Sequence, residues 1–254
     1  MANKIIFHTK GKMGILTLNN PEKHNSFDFR IIQELDNILE KIKKSSLKVI
    51  IIRGKGKSFC AGGDISTEKE IGTLNAKEAK DKIKFIQKTF SKIEKLPQVF
   101  IAVTQGYVIG GGNELAMSCD IRIALPSAKF MHPETSLGTV APLGGTKRLP
   151  RLIGLGKAKY MLFTGMAIDS KTALDWGLAD FLVSESRINP FLKSLVSAIS
   201  DKPKKSLELT KKSVNQNYLN DLTDEFEADS YVKCSRDIEN KKILGKFLGK
   251  KKKH

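Results

Sequence analysis

Two glutamates stand among apolar residues, a setting that changes how readily a carboxyl group holds its proton. Glu114 begins the apolar segment Glu-Leu-Ala-Met-Ser, and Glu134 follows a His-Pro pair between Phe130 and Leu137. Apolar surroundings favour the protonated form of a carboxyl group, which suits proton transfer near neutral pH. Two such groups can hold one water between them and share the work of acid and base. Spacing alone, however, favours a helix N-terminal charge for Glu114 and a solvated loop residue for Glu134.

Two glycine-rich turns, residues 59–64 (FCAGGD) and 110–114 (GGGNE), each follow a predicted buried strand. Glycine lets a backbone approach a ligand closely and adopt dihedral angles closed to other residues. Where a helix begins, unpaired N–H groups and the positive end of the helix dipole face outward. Two such N–H groups that converge on one point form an oxyanion hole. The alternative is a pair of tight structural turns. Neither turn is a GxxxxGK[ST] loop for nucleotide phosphate.

The hydrophobic pattern predicts strands and helices that position these turns. The predicted strands are residues 4–9, 13–18, 49–52, 99–104 and 121–125, the first two forming a hairpin. The predicted helices are residues 28–44, 79–96, 191–199, 204–218 and 221–234, with a helical start at residues 114–118. Strand, glycine turn and helix occur twice in succession, which is typical of α/β proteins. Strands stop beyond Pro190, so the last fifth of the chain is predicted to be helical.

Several ordered segments resemble the signatures of the enoyl-CoA hydratase/isomerase (crotonase) family. They are residues 16–25 (LTLNNPEKHN), 59–64, 106–115 (GYVIGGGNEL), 144–154 (GGTKRLPRLIG), 164–173 and 177–179. Their order and spacing fit the family, and together they extend over nearly the whole chain.

The resemblance implies an α/β fold with a crotonase-like ββα spiral core and a helical C-terminal region. Residues 1–190 would form the catalytic core. Residues 191–254 would form a helical oligomerisation region that ends in a lysine-rich tail. In this family that region mediates trimer contacts, and trimers commonly pair into hexamers.

The resemblance also implies a site. The backbone N–H groups of Gly63 and Gly111 would form the oxyanion hole for a thioester carbonyl. Glu114 and Glu134 would be the catalytic pair that adds water to the β-carbon and a proton to the α-carbon. The substrate would be an acyl-CoA thioester, with no cofactor beyond its coenzyme A and no metal. Residues expected along coenzyme A are Lys23, Asn25, Ala61, Asp64, Ile65, Phe247 and Lys250.

Three positions depart from the family pattern. Pro142 replaces a glycine whose N–H lies near the catalytic water, and proline has no N–H to offer. Either that water is held in another way or the substrate and reaction differ. His132 stands where glutamine is common, and it would orient Glu134, shift the proton affinity of Glu134, or only pack in its loop. Thr104 and Gln105 replace Val-Asn, which we interpret as a packing difference.

The net charge of +17 favours polyanions and anionic small ligands. A lysine-rich body with a solvated lysine tail explains this charge without any nucleic acid, and the sequence contains no recognised nucleic-acid-binding motif. The cysteines, Cys60, Cys119 and Cys234, are odd in number and far apart, which fits a reducing compartment. The N-terminal segment has no long apolar core, and no apolar run is long enough to span a bilayer. A cytoplasmic protein is therefore expected.

Four functions remain open from the sequence. The first is a hydro-lyase of fatty-acid metabolism that hydrates an α,β-unsaturated acyl-CoA. The second is another crotonase reaction, such as enoyl-CoA isomerisation or hydration of a cyclic or dienoyl-CoA. The third, from a different class, is a non-catalytic basic RNA-binding protein on the same scaffold. A structural subunit without activity is the fourth.

Overall fold

The computed structural model describes residues 3–216 and, beyond them, residues 228, 229, 231, 232, 236, 242, 245 and 246. The strands within them are β1 (Ile5–Lys10), β2 (Met13–Leu18), β3 (Val49–Gly54), β4 (Val99–Thr104), β5 (Tyr107–Ile109), β6 (Ile121–Ala124), β7 (Lys129–Met131), β8 (Ile168–Asp169) and β9 (Phe181–Leu182). The α-helices are α1 (Phe29–Lys43), α2 (Ile65–Thr73), α3 (Ala76–Lys95), α4 (Gly111–Met117), α5 (Gly145–Ile153), α6 (Leu155–Thr164), α7 (Ser170–Trp176), α8 (Ile188–Ser200) and α9 (Lys204–Gln216). These elements confirm the α/β class.

The larger sheet has six strands in the order β1-β2-β3-β4-β6-β9. The β1–β2 hairpin is antiparallel, as predicted, and β2 to β9 pair in parallel. Parallel neighbours require crossover connections, and the long segments between these strands supply them. In this sheet the carboxyl ends of β3 and β4 therefore lie side by side. The turn at residues 59–64 follows β3, whereas the turn at residues 110–114 follows the short strand β5, which the sequence did not predict.

Apolar residues of β3 and β4 point alternately to the two faces of the larger sheet, and both faces are covered. Ile50, Ile52 and Phe100 face the main core beneath helices α1 and α3. Ile51 and Ile101 face a second cluster on the opposite side, which α8 covers with Phe191, Leu192, Leu195, Val196 and Ile199. Near-continuous apolar runs such as Val49–Ile52 are the sequence counterpart of a sheet buried on both sides.

Helix ends follow local capping. Asp28 caps α1 by accepting a hydrogen bond from the Ile31 amide. The prediction that the next long helix spans residues 79–96 was wrong at its start, since α3 begins at Ala76. Asn75 and Glu78 form a capping box there, with each side chain bonded to the other residue's backbone N–H.

A small three-stranded sheet, in the order β5-β7-β8, stands apart from the larger one. Strands β5 and β7 run parallel, and the Gly110 amide donates to the Met131 carbonyl at 2.9 Å. This pairing places the glycine turn at the start of α4 beside the loop that follows β7. It is the feature that brings residues 110–114 close to Glu134.

The C-terminal predictions are tested only in part. Helix α8 confirms the predicted helix at residues 191–199, and α9 confirms the one that starts at Lys204. Most of the predicted helix at residues 221–234 lies outside the described residues. Among the residues that are described, no helix combines the length and the apolar character needed to cross a membrane.

Candidate active site

A cavity of about 670 Å³ brings together the four residues that the sequence predicted for catalysis. Gly63, Gly111, Glu114 and Glu134 all line it. They come from the loop after β3, the start of α4 and the loop after β7. The predicted convergence of two glycine turns and two carboxyl groups is therefore a property of this fold.

Glycine is required where the two turns touch. Gly62 has a φ of +89°, and a Cβ added to it would lie 2.7 Å from the Ile109 carbonyl oxygen and 3.3 Å from the Gly111 nitrogen. The backbone of the first turn thus passes directly over the first amide of α4. Within the described part of the chain, neither the Gly63 N–H nor the Gly111 N–H has a hydrogen-bond acceptor. Both residues line the cavity, so their amides are candidates to bind a ligand oxygen.

Glu114 is fully buried in the first turn of α4. One of its carboxylate oxygens, Oε1, accepts hydrogen bonds from the amides of Leu143 and Gly145, each at 2.7 Å. Two main-chain donors hold that oxygen in place, so the orientation of the carboxylate is set by backbone rather than by mobile side chains.

Glu134 is held by its own loop and by His132. Its Oε1 lies 3.4 Å from Nδ1 of His132, whose ring is buried. On the other side of the ring, the Asn113 amide nitrogen is 3.1 Å from Nε2. With Nε2 accepting from Asn113, a neutral His132 presents its Nδ1–H to Glu134. This contact favours a role for His132 in orienting Glu134, which is one of the roles that the sequence left open.

Pro142 lines the cavity beside Glu114. Its carbonyl accepts a hydrogen bond from the buried side chain of Gln87 on α3, at 2.6 Å. The next amide along the chain, that of Leu143, is already bonded to Glu114. The segment thus holds the glutamate through Leu143 and Gly145 although Pro142 itself offers no N–H.

Six of the seven residues expected along coenzyme A fall into three groups. Ala61 and Ile65 line the cavity. Lys23 and Asp64 form an ion pair at 2.6 Å at its rim, and Asp64 also caps α2. Burial opposes ionisation of Asp64, but hydrogen bonds from Lys23 and Ser66 outweigh it and lower the pKa of this carboxyl to about 2. Phe247 and Lys250 lie outside the described residues.

Asn25 points into the protein rather than into the cavity. Its side chain accepts from the Asn20 amide and donates to the carbonyls of Lys55 and Ser58. With the side chain engaged on both ends, Asn25 shapes the loop that carries Lys23. Sequence reasoning found the right loop but not the part that this side chain plays in it.

Cys60 and the metal-ligating residue types bear on two further kinds of chemistry. Cys60 stands next to the proposed hole, but burial raises the pKa of its thiol to about 12, so it is not a nucleophile at neutral pH. In the part of the chain that the structure describes, no group of three or more His, Cys, Asp or Glu residues is arranged to hold a metal ion. The predicted chemistry rests on the two carboxyl groups and the two amides.

Sequence reasoning missed several residues of the cavity. The walls include Ile71, Ile83 and Ile86 of α2 and α3. Sequence reasoning did not identify these residues, nor Glu68, which lies among them, nor Tyr231 from the C-terminal part. The segment around Glu68 is Ser-Thr-Glu-Lys-Glu, which contains no apolar residue. No hydrophobic pattern in this segment therefore predicts that a carboxyl group faces a cavity.

Comparisons with known proteins identify the family of this chain. A family model described as enoyl-CoA hydratase/isomerase matches residues 8–254. The chain is 34% identical over 255 residues to a short-chain-enoyl-CoA hydratase of Clostridium acetobutylicum, covering 98% of this chain and 96% of that protein. It is 34% identical over 252 residues to a crotonyl-CoA hydratase of Syntrophomonas wolfei, with coverage of 98% and 96%. The crystal structure of enoyl-CoA hydratase from Bacillus halodurans superposes with a TM-score of 0.87 at 24% identity, covering 96% of this chain and 99% of that one.

Proposed function

The chain belongs to the enoyl-CoA hydratase/isomerase family, and on that basis we propose that it is an enoyl-CoA hydratase. The enzyme adds water across the double bond of an α,β-unsaturated acyl-CoA thioester. The water oxygen bonds to the β-carbon, and a proton is delivered to the α-carbon. The product is the corresponding 3-hydroxyacyl-CoA.

In this proposal the amides of Gly63 and Gly111 receive the thioester oxygen. Negative charge develops on that oxygen as water attacks the β-carbon, and fixed N–H donors stabilise it without reorganising. Removing one such donor typically costs about 2.7–4 kcal/mol of barrier. Glycine at position 62 allows the two turns to approach each other closely.

Glu114 and Glu134 act on the water in this proposal. Both line the same cavity, and each is held by groups outside the reaction, Glu114 by two amides and Glu134 by His132. A water between them would lose one proton to a carboxylate, while the other carboxyl group supplies the proton for the α-carbon. General acid–base assistance of this kind contributes about 10²–10⁴-fold in rate.

The single observation that carries the proposal is the joint placement of four groups in one cavity. Either amide or either carboxyl group alone has a structural explanation. Together, two available main-chain donors and two positioned carboxyl groups form the arrangement that enolate chemistry on a thioester needs.

The test is a panel of thioesters given to the wild-type protein. Crotonyl-CoA, longer straight-chain enoyl-CoAs, a dienoyl-CoA and a cyclic enoyl-CoA are compared by loss of the enoyl absorbance and by product analysis. Hydration of the straight-chain members is expected. No turnover of any thioester would overturn the proposal.

One observation favours the second candidate, another reaction of the same family. Pro142 replaces the glycine whose N–H commonly lies near the catalytic water. Pro142 has no N–H, and its carbonyl accepts a hydrogen bond from Gln87. Glu114→Gln separates the two reactions, because hydration needs both glutamates while isomerisation often needs only the second. Loss of hydration with retained isomerisation in this variant would favour the isomerase.

The domain organisation, the oligomeric state, the cofactor requirement and the location of the protein are proposed from the family and the sequence. Residues 1–190 would be the catalytic core and residues 191–254 an oligomerisation region, with trimers that pair into hexamers. No cofactor beyond the coenzyme A of the substrate is needed for the proposed reaction. A cytoplasmic location stays a prediction from the sequence.

A further inference from the structure

A third carboxyl group, that of Glu68, faces the cavity and has no task in the proposed reaction. Glu68 lies in the first turn of α2, whose start is fixed by the Asp64 cap. A Cβ added to Gly63 would lie 3.4 Å from Oε1 of Glu68. The carboxyl group is therefore next to the residue whose amide is proposed to bind the thioester oxygen.

The C-terminal part of the chain supports this carboxyl group. The hydroxyl of the buried Tyr231 donates a hydrogen bond to Oε2 of Glu68. Nearby, Asp229 forms an ion pair with Lys80 of α3 at 2.7 Å, which holds the same segment against α2 and α3. Glu68 and Tyr231 thus form a polar pair built from two distant parts of the sequence.

The surroundings of Glu68 bring the pKa of its carboxyl group close to neutral pH. Burial, and secondly the charge of Glu134, raise the pKa of Glu68 to about 7. A protonated carboxyl group both donates and accepts hydrogen bonds, whereas the ionised form only accepts. Near neutral pH, Glu68 can therefore form a hydrogen bond with an uncharged oxygen group, whether that group donates, as a hydroxyl does, or accepts, as a carbonyl does.

The rest of this wall is mostly apolar, although Thr67, Lys69 and Thr73 of α2 also line the cavity. Ile71, Ile83 and Ile86 line the cavity beside Glu68, and Phe27 lies opposite the start of α4. Glu68 is half-buried. A plain hydrocarbon chain placed here would shield its carboxyl group from water without offering a new hydrogen bond, and such desolvation of a polar group is costly. A substrate carboxylate would be repelled by Glu134 and by ionised Glu68.

We propose that Glu68, supported by the Tyr231 hydroxyl, selects acyl groups that carry an uncharged oxygen substituent, a hydroxyl or a keto group, besides the thioester. This inference rests on the proposed hydratase function and names the substrate class of the same cavity. It distinguishes the chain from a hydratase of plain straight-chain thioesters, whose acyl wall would gain nothing from a carboxyl group.

The test compares kcat/KM of the wild type for a straight-chain 2-enoyl-CoA and for the same thioester hydroxylated at successive carbons. We expect one hydroxylated member to exceed the hydrocarbon by about tenfold or more, as a hydrogen bond to a half-buried carboxyl group allows. Glu68→Leu is expected to remove this preference and to raise kcat/KM for the hydrocarbon.

Matched variants keep the result decisive. Glu70→Leu changes an exposed glutamate on the same helix and should leave the preference as in the wild type. Tyr231→Phe removes only the supporting hydroxyl and should lower the preference severalfold, which tests the inference even if Glu68→Leu does not fold. An equal preference in wild type and Glu68→Leu would overturn it, as would an equal loss of hydration on every thioester. Both outcomes leave the hydratase proposal standing, which fails only if the wild type hydrates no thioester.

Discussion

Glycine at position 110 makes the placement of Glu134 possible. Gly110 precedes α4 with φ 51° and ψ −122°, a backbone region that is essentially closed to other residues. A Cβ there would lie 3.0 Å from Oε1 of Glu134. Glycine at position 110 therefore permits both the backbone conformation of the turn and the position of the Glu134 carboxyl group.

Gly110→Ala is expected to lower both stability and hydration. The strained backbone costs about 1–3 kcal/mol, and displacement of Glu134 should reduce kcat on the order of a hundredfold, as small misplacements of catalytic groups do. Urea denaturation gives the free energy of unfolding, and steady-state hydration of crotonyl-CoA gives kcat and KM.

Gly156→Ala is the matched control. Gly156 lies in the first turn of α6, and a Cβ there would meet no atom within 4 Å. The same substitution should stabilise the protein by up to about 1 kcal/mol and leave kcat unchanged. Equal effects of the two substitutions would contradict the role assigned to Gly110.

At this scale the sequence reveals residue types but not their surroundings. Glu114 and Glu134 were identified, yet spacing alone favoured trivial roles for both, and only the family resemblance paired them. Their partners are distant in sequence, since Leu143 and Gly145 hold Glu114 from the start of the next helix. Glu68 was missed because nothing in its polar neighbourhood signals that α2 turns it inward.

At the scale of elements, α3 forms one wall of the cavity and carries Ile83, Ile86 and Gln87. Its first turn is secured by the Asn75–Glu78 capping box rather than by apolar contacts. The apolar periodicity begins at Ala79, which explains why the pattern alone started the helix three residues late. Capping chemistry, where it is noticed, corrects such boundaries.

Asn75→Ala is expected to destabilise the protein by about 1 kcal/mol, because the Glu78 amide loses its acceptor. Asn75→Asp retains an oxygen acceptor and should stay close to the wild type. Urea denaturation of the three proteins decides the point. A stable alanine variant would show that tertiary packing, and not the cap, sets the start of α3.

The short helix α2 shows what an element gains from its context. Its buried residues are Thr67 and Ile71 alone, too few to form an apolar stripe that periodicity would detect. The Asp64 cap and the packing against the cavity hold it in place. The sheet strands, by contrast, were predictable because β-branched residues, as in the run Val49–Ile52, strongly favour strands.

At the scale of the whole molecule, the charge of +17 fits an anionic substrate. Coenzyme A carries phosphates, and a positive field speeds the approach of such a ligand. The nucleic-acid alternative uses the same charge but predicts tight binding with a steep salt slope and no dependence on the cavity.

Raising salt from low to physiological ionic strength should lower kcat/KM for crotonyl-CoA severalfold while kcat stays constant, because screening weakens steering but not chemistry. Crotonyl-pantetheine, which lacks the phosphates, is the control and should show little change. RNA binding at physiological salt that is unaffected by crotonyl-CoA would instead support the alternative.

The central claim is that Glu114 and Glu134 act on one water as a unit, facing the amides of Gly63 and Gly111. Hydration of crotonyl-CoA is measured for Glu114→Gln, Glu134→Gln and the double variant, each checked for folding. We predict that each single change lowers kcat on the order of a thousandfold and that the double variant is about as slow as the slower single one. Losses that multiply in the double variant, or a single variant as fast as the wild type, would contradict it.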